Sequence, residues 1–248
     1  MSNLQKNDPY VLLWFEAPLQ AWGADSKFGR RDTLKFPTKS GVLGLVFSAM
    51  GAAGEQCELL ARFAPLDMQV ISYRKTKANG NKQDKQPLMR DFQTVGNGYE
   101  DKDPWQTLLI PKTADGKKAV GGGSKLTYRY YLQDAVFAVA LQVPSALSVD
   151  ITKALQSPSW DIYLGRKNCI PTELVFQGQF ANFEDLNEQA CSFSQLKNLV
   201  EDFRVAQGEI EGDEHLTLND VAIQFGQHKK YRDRQVTLLY TQEEWADG

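Results

Sequence analysis

The chain is poor in the residues that most enzymes use for acid–base and nucleophilic chemistry. It has only two histidines, His215 and His228, and both lie late in the sequence in acidic or polar surroundings. Histidine is the commonest proton shuttle near neutral pH, and no Ser-His-Asp or Cys-His spacing is present to supply a nucleophile with a base. This scarcity argues against catalysis, although tyrosine and lysine side chains are still available for it.

Cysteine is equally sparse, and Cys57, Cys169 and Cys191 are widely separated. Their spacings match neither a zinc site nor a disulfide framework, so reduced structural thiols are expected. The stretch EIEGDEH at 209–215 contains carboxylates that could ligate a metal, but a solvated acidic loop is the favoured interpretation. We therefore expect no metal site and no bound cofactor.

No apolar run approaches the roughly 18 residues that a membrane-spanning helix requires. The first residues, MSNLQKNDPY, are polar and lack the apolar core of a signal peptide. No internal repeat or low-complexity block is present. With 248 residues and 42% hydrophobic content, the sequence predicts a folded cytoplasmic protein of one large domain or two small ones, without a membrane partner.

Charge is distributed unevenly along the chain, although the net charge is only −3. Residues 70–130 contain 12 Lys and Arg against 6 Asp and Glu, whereas residues 131–248 contain 9 basic and 18 acidic residues. A basic middle on an acidic body favours a local site for a polyanion. A solvated, lysine-rich loop is the alternative that charge alone leaves open.

The stretch FPTKSGVLGLVFSAMGA at 36–52 resembles a nucleotide-binding phosphate loop but lacks its glycines. Alignment of the loop signature on Lys39 and Ser40 requires glycine where Thr38 and Thr33 stand. A nucleotide-hydrolysing site is therefore disfavoured. The sequence instead predicts a helix capped by Thr38 or Ser40.

The same helix start has the electrostatic features of an anion site. Free N–H groups and the positive end of the dipole attract anions there, and a lysine at this end is unfavourable unless an anion shares the site. Five basic residues face one acidic residue between positions 27 and 39. We therefore predict that a phosphate is bound by Arg30, Arg31, Lys39, Ser40 and Gly41.

Hydrophobic periodicity predicts alternating strands and helices over much of the chain. Strands are predicted at 10–16, 67–74, 126–133, 135–143 and 175–180, with a further strand that ends in a glycine turn at 160–170. Helices are predicted at 42–50, 55–63 and 148–156, partial helix within 183–206, and late strands within 216–225 and 234–242. This order is that of an α+β protein, and a ferredoxin-like split βαβ sheet would produce it. RNA-recognition modules use such a sheet, as do many other proteins.

Aromatic residues are interleaved with lysine and arginine along the chain. Exposed rings stack on unpaired bases while basic side chains hold phosphates, so this mixture is compatible with RNA binding. Trp14 is expected in the core because it lies within an apolar strand. Trp22, in a turn between Gln20 and Gly23, is the better candidate for a ring that contacts a base.

Four motifs that occur in order within residues 10–170 resemble the CasD-type family of RAMP subunits from the CRISPR Cascade surveillance complex, and the type I-E branch in particular. The motifs are APLQAWG at 17–23, RDTLKFPTKSGVLGL at 31–45, MRDFQTV at 89–95 and YLGRKNC at 163–169. The resemblance covers about two-thirds of the chain.

The resemblance implies a ferredoxin-like, RRM-like RNA-binding domain at 1–170. A long β-hairpin thumb would be inserted in it at about 75–128, and an irregular, strand-containing extension at 171–248 would pack on the same domain. The stretch 97–125 departs from the family pattern because it is longer and richer in glycine.

The resemblance also implies a non-catalytic subunit that grips the 5′ handle of crRNA. Its partners would be the Cascade backbone subunits and the large PAM-reading subunit, with target DNA reached through the complex. The handle would be contacted by the helix start described above and by Gln20, Trp22, Arg90, Gln93, Thr94, Arg166 and Lys167. A metal-independent endoribonuclease that processes precursor crRNA, as in type I-C systems, is the alternative from the enzyme class, and a structural assembly protein is a third.

Overall fold

The computed structural model describes residues 8–23, 29–77, 82–95, 102–105, 112–113, 115–117 and 125–241. Strands in these ranges are β1 Tyr10–Glu16, β2 Leu19–Gln20, β3 Arg30–Arg31, β4 Met68–Lys75, β5 Met89–Val95, β6 Lys125–Gln133, β7 Val136–Gln142, β8 Phe176–Phe180, β9 Leu199–Gln207, β10 Glu214–Gln224 and β11 Lys230–Tyr240. Helices are α1 Lys39–Ala49, α2 Cys57–Phe63, α3 Ser148–Gln156 and α4 Phe183–Leu196. A 3₁₀ turn, Ser145–Leu147, precedes α3.

A seven-stranded sheet, with strand order β10-β11-β9-β4-β7-β1-β8, organises the fold. All of its neighbouring strands pair antiparallel. The sequence YVLLWFE forms β1 because branched and aromatic residues favour strands, and its residues 11–15 are all buried. Burial on both faces requires cover above and below the sheet.

Three helices pack on one face of this sheet. Helix α1 begins after Thr38, whose Oγ1 accepts a hydrogen bond from the Gly41 N–H at 3.3 Å. In α3, Ile151 and Leu155 are one turn apart and both are buried against this face. Helix α2 packs beside β10.

Helix α4 covers the opposite face. Its buried residues, Leu186, Ala190 and Ser194, recur at every fourth position and form one stripe along the helix. Leu186 and Ala190 lie in the same apolar cluster as Leu12 and Trp14 from β1. Both faces of the central strands are therefore closed by helices.

A second, smaller sheet has the order β2-β6-β3, and β5 pairs antiparallel with β6. The strand β3 is parallel to β6 and pairs Arg30 with Tyr128. This small sheet carries three of the basic residues that the sequence singles out, Arg30, Arg31 and Arg90, so its exposed face positions the candidate site.

Most predicted elements form within a few residues of their expected bounds. The exception is 160–170, which is irregular rather than a strand. Its chain is held by loop contacts, since the N–H of Ala21 donates to the Leu164 carbonyl at 3.1 Å and that of Cys169 to the Arg166 carbonyl at 2.8 Å. Of the stretch 97–125, all but 102–105, 112–113, 115–117 and Lys125 lies outside the described residues.

Candidate nucleic-acid interface

Gln20 and Trp22 lie in the interior and not on a binding surface. The Gln20 amide donates to the Phe15 and Ala135 carbonyls at 3.2 and 2.6 Å, and accepts from the Trp22 indole N–H at 3.1 Å. The Trp22 ring is 0% exposed and stacks on Phe15 with ring centroids 5.2 Å apart. This burial argues against the predicted contact of these two residues with RNA, because neither has a free polar edge or ring face.

Lys39 is also buried, with 0% exposure. Its Nζ donates to the carbonyls of Ala64, at 3.3 Å, and of Leu66, and it lies 3.4 Å from the Gln207 side-chain oxygen. These contacts argue against the predicted phosphate contact from Lys39, because its ammonium points into the fold.

The anion at the start of α1 is a side chain of the protein itself. The Lys39 backbone N–H donates to Asp220 Oδ2 at 2.7 Å, and Asp220 also accepts from the Arg234 guanidinium at 2.7 Å. The Gly41 N–H donates to Thr38. Ser40 and Gly41 are only half-buried, but the helix end that they flank is already occupied. A carboxylate from β10 therefore occupies the position where the sequence predicts an anion.

Burial changes the protonation of Lys39. Desolvation, followed by the positive charge of Arg234, lowers the Lys39 pKa from 10.5 to about 8. Between these two values the unfolded chain holds a proton that the folded protein has lost, so the free energy of unfolding rises with pH. From pH 7 to pH 10 we expect this residue to add about 2–3 kcal/mol.

The variant Lys39→Met should lose this rise, as measured by urea denaturation at stepped pH. The control is Lys35→Met, at an exposed lysine four residues upstream. This variant should keep the wild-type slope of unfolding free energy against pH. Equal slopes of unfolding free energy against pH in the wild type and both variants would contradict a lowered pKa for Lys39.

Five further predicted residues lie on the small sheet, namely Arg30, Arg31, Arg90, Gln93 and Thr94. Strand pairing places Phe92 opposite Tyr128 and Arg90 opposite Tyr130. Because directly opposed residues of an antiparallel pair share a face, alternate residues of β5 and β6 form one outward row. We call this row, with the neighbouring residue of β3, the platform: Arg30, Arg90, Phe92, Leu126, Tyr128 and Tyr130.

The platform combines exposed apolar rings with guanidinium groups. Phe92 is 53% exposed and Tyr128 is 40% exposed, and their ring centroids are 5.2 Å apart. Arg90 lies over the Tyr128 ring at 5.6 Å, and Arg30 lies over the Tyr130 ring at 4.9 Å. Such rings stack on unpaired bases, and the nearby guanidinium groups bind phosphates.

Gln93 and Thr94 show how strand alternation divides the MRDFQTV motif. Gln93 is on the opposite face, where its amide donates to Asp91 Oδ2 at 2.7 Å. Thr94 is exposed on the platform side, opposite Leu126. Only one of the two therefore adjoins the platform.

Arg166 holds the small sheet together. Its two terminal nitrogens donate to the carbonyls of Tyr130 at 3.0 Å and Arg31 at 2.9 Å, and its guanidinium lies 4.6 Å from the centroid of the buried Tyr131 ring. The side chain thereby joins β6 to β3 from behind the platform. Arg31 and Lys167 are both exposed beside this clamp.

The sequence reasoning missed Phe92, although it lies inside the MRDFQTV motif. The available signal was the alternation Arg90, Phe92, Thr94, which puts all three on one face of a strand. The same alternation in β6 puts Tyr128 and Tyr130 on one face and the buried Tyr131 on the other.

The face of the large sheet around Trp14 is closed to bases. The Trp14 ring is buried, stacks on Tyr73 at 5.4 Å and meets Phe193 of α4 at 4.7 Å. RNA-recognition sheets stack bases on exposed sheet aromatics. Here α4 occupies that position, so the expected core location of Trp14 is confirmed.

The structure also locates the side chains considered for metal binding and for acid–base chemistry. In the part of the chain that the structure describes, no group of three or more His, Cys, Asp or Glu side chains is arranged to hold a metal ion. His215 Nδ1 lies 3.1 Å from the Thr237 hydroxyl on the outer strand pair of the large sheet, away from the platform. No described helix is both long and apolar enough to cross a membrane.

Comparison with known proteins gives consistent matches over most of the chain. Residues 10–237 match the family described as CRISPR-associated protein (Cas_Cas5). The CRISPR system Cascade subunit CasD of Escherichia coli (strain K12) is 28% identical over 247 residues, which cover 96% of this chain and 92% of that protein.

Two solved structures share the fold. A chain of a CRISPR RNA-guided surveillance complex aligns with a TM-score of 0.66 and 28% identity, covering 94% of this chain and 90% of that chain. A Cas protein crystal structure aligns with a TM-score of 0.52 and 23% identity over 94% of both chains, which supports the fold alone. With the family match spanning β1 to β11, this chain belongs to the CRISPR-associated Cas5 family.

Proposed function

We propose that this protein is a non-catalytic crRNA-binding subunit of a type I Cascade surveillance complex. In this role it grips the 5′ handle of crRNA and helps to assemble the backbone subunits and the large PAM-reading subunit for recognition of target DNA. The observation that carries the proposal is the platform, where exposed rings and guanidinium groups share one face of a strand pair. Family membership and the likeness to CasD support the same role.

The proposed RNA-binding domain is ferredoxin-like. The strands β8-β1-β7-β4 are antiparallel neighbours, α1 connects β1 to β4 through the segment that also contains α2, and α3 lies between β7 and β8. This is the order expected of a split βαβ repeat. Because β8 completes the unit, we place the boundary of the domain after Phe180 and not at residue 170.

The proposed thumb consists of β5 and β6, which leave and re-enter the domain between β4 and β7. It corresponds to the predicted insertion at about 75–128. The strands β9, β10 and β11 form the C-terminal extension, and β9 joins them to the domain by pairing with β4.

On the platform we assign the bases and phosphates of RNA to different side chains. Phe92 and Tyr128 stack on splayed bases, and Arg30, Arg31, Arg90 and Lys167 attract the backbone. Phosphate contacts fix position, whereas contacts to unstacked bases can read sequence. Gln20, Trp22 and Lys39 support the fold from the interior, and Arg166 supports the platform from behind.

The variants Phe92→Ala and Tyr128→Ala test this assignment. Each should weaken binding of a single-stranded RNA carrying the repeat-derived 5′ handle by about 5- to 150-fold, because stacking contributes about 1–3 kcal/mol per base. Fluorescence anisotropy at fixed salt measures the change. Trp160→Ala is the control, since Trp160 is 49% exposed but lies outside the platform. Unchanged affinity in both platform variants would exclude the platform as the RNA site.

The non-catalytic part of the proposal has a separate test. Incubation of the purified protein with precursor repeat RNA in EDTA should leave the RNA intact. Site-specific cleavage under these conditions would instead establish the endoribonuclease alternative.

A further inference from the structure

The outward row of the platform continues beyond the paired residues into a cavity. The β5–β6 register, extended by one residue, brings Leu88 opposite Leu132, and both line the cavity. Successive residues on one face of a strand are about 7 Å apart. A regular path therefore leads to the cavity through the cross-strand pairs Phe92–Tyr128, Arg90–Tyr130 and Leu88–Leu132.

The floor of this cavity is apolar and aromatic. Its volume is about 430 Å³, within the usual range of small-molecule sites. Val136, Phe137, Phe203 and Tyr240 of the large sheet contribute to its lining. Tyr240 is 41% exposed, and its ring centroid is 5.8 Å from that of Phe203. The Phe203 ring is itself only 2% exposed and lies 4.7 Å from the Lys85 ammonium, so the Tyr240 ring is the aromatic surface offered to a flat ring system here.

The rim of the cavity is positively charged. Its basic residues are Lys35, Arg74, Lys75 and Lys85, whereas its acidic residues are Asp84 and Asp134. Just below the lining, buried Asp202 forms ion pairs with both Arg74 and Lys85, each with an N–O distance of 2.6 Å, so two cations share one carboxylate. Asp84 lies 3.0 Å from the Lys77 ammonium. The excess positive charge favours an anionic ligand.

We propose that this cavity binds one unstacked nucleotide of an RNA strand whose neighbouring bases stack along the platform. The base lies against the exposed Tyr240 ring, and its phosphate is held by Lys35 and Lys75. The inference rests on the proposed function, since it extends the same RNA path. An acidic peptide would satisfy the charged rim, but it would leave the row of aromatic side chains that leads to the cavity without a partner.

Photo-cross-linking of the full chain tests this inference. The probes are short uridine oligomers that carry one 5-iodouridine at the 5′ end, in the middle or at the 3′ end. We expect at least one position to cross-link to the peptide containing Phe203 or Tyr240, and other positions to cross-link to Phe92 or Tyr128. Cross-links that reach only Phe92 or Tyr128 from every position overturn the cavity site and leave the proposed function intact. Failure to bind or cross-link at all contradicts the proposed function itself.

Charge reversal provides a second readout. The double variant Lys35→Glu with Lys75→Glu should abolish the cavity cross-links and keep the platform cross-links. It should also reduce the slope of log affinity against log salt concentration by about 0.7 for each phosphate that the lysines no longer neutralise. The matched control is Lys153→Glu with Lys229→Glu, two lysines outside the cavity. Persistent cavity cross-links in the Lys35/Lys75 variant would contradict the proposal.

Lysine acetylation distinguishes a protein occupant from RNA. The uridine oligomer should protect Lys35 and Lys75 from acetylation, while a poly-glutamate peptide should not. Protection by the peptide alone would assign the cavity to an acidic protein segment and overturn the inference.

Discussion

Replacing Asp220 with alanine is expected to lower the free energy of unfolding by about 3–5 kcal/mol, the usual effect of removing one partner of a buried ion pair. The Asp220 carboxylate accepts from the Arg234 guanidinium at 2.7 and 3.0 Å and from the Lys39 backbone N–H. Its removal leaves the Arg234 guanidinium buried without its carboxylate. It also removes the acceptor at the start of α1. Urea denaturation at pH 7 measures the change.

Two further variants separate charge from hydrogen bonding at this position. Asp220→Asn keeps an oxygen for the Lys39 N–H but removes the negative charge, so we expect a smaller effect than for alanine. Asp233→Ala removes an exposed carboxylate on the neighbouring strand and should change stability by less than about 1 kcal/mol. An Asp220→Ala variant as stable as Asp233→Ala would show that the C-terminal hairpin does not anchor α1.

Gly165→Ala is expected to disrupt both the fold and RNA binding. Gly165 has φ +97°, where residues other than glycine are strained, and an added Cβ would overlap the Ala21 carbonyl oxygen. The loop can only move away from β2, and Arg166 moves with it. The clamp on Tyr130 and Arg31 is then broken, so β3 loosens from the platform.

We expect the free energy of unfolding to fall by more than about 1–2 kcal/mol, the cost of the left-handed backbone alone, and RNA affinity to fall with it. Thermal unfolding and anisotropy measure the two effects. Gly44→Ala is the matched control, because an added Cβ there meets no atom within 4 Å. Within a helix, alanine should be neutral or stabilising by up to about 1 kcal/mol. Equal behaviour of the two glycine variants would refute the role of the Gly165 turn.

Local patterns predicted much of the secondary structure correctly. The apolar run at 10–16 is β1, and the predicted helix at 148–156 has the observed bounds. Thr38 caps α1 as expected. These features depend on side chains within a few residues of one another, so hydrophobic periodicity and capping chemistry are sufficient to identify them.

The stretch 160–170 shows where periodicity fails. Its apolar residues predicted a strand, yet the chain forms loop contacts with Ala21 and with its own Cys169. Ala21 follows β2, and its hydrogen bond to Leu164 is not continued as a strand ladder. Periodicity reports which side chains of a segment are apolar, but not whether another strand pairs with it.

Sequence patterns alone indicated an α+β fold with a basic middle segment, an anion at the start of α1 and the motifs of the Cas5 family. The identity of that anion depends on long-range packing. Asp220 lies 181 residues from Lys39 in the chain, and no local pattern connects them. The same long-range packing buries Trp22 and closes the large sheet with α4. It leaves exposed the alternate residues of β5 and β6, because burial depends on which face of a strand meets the rest of the fold.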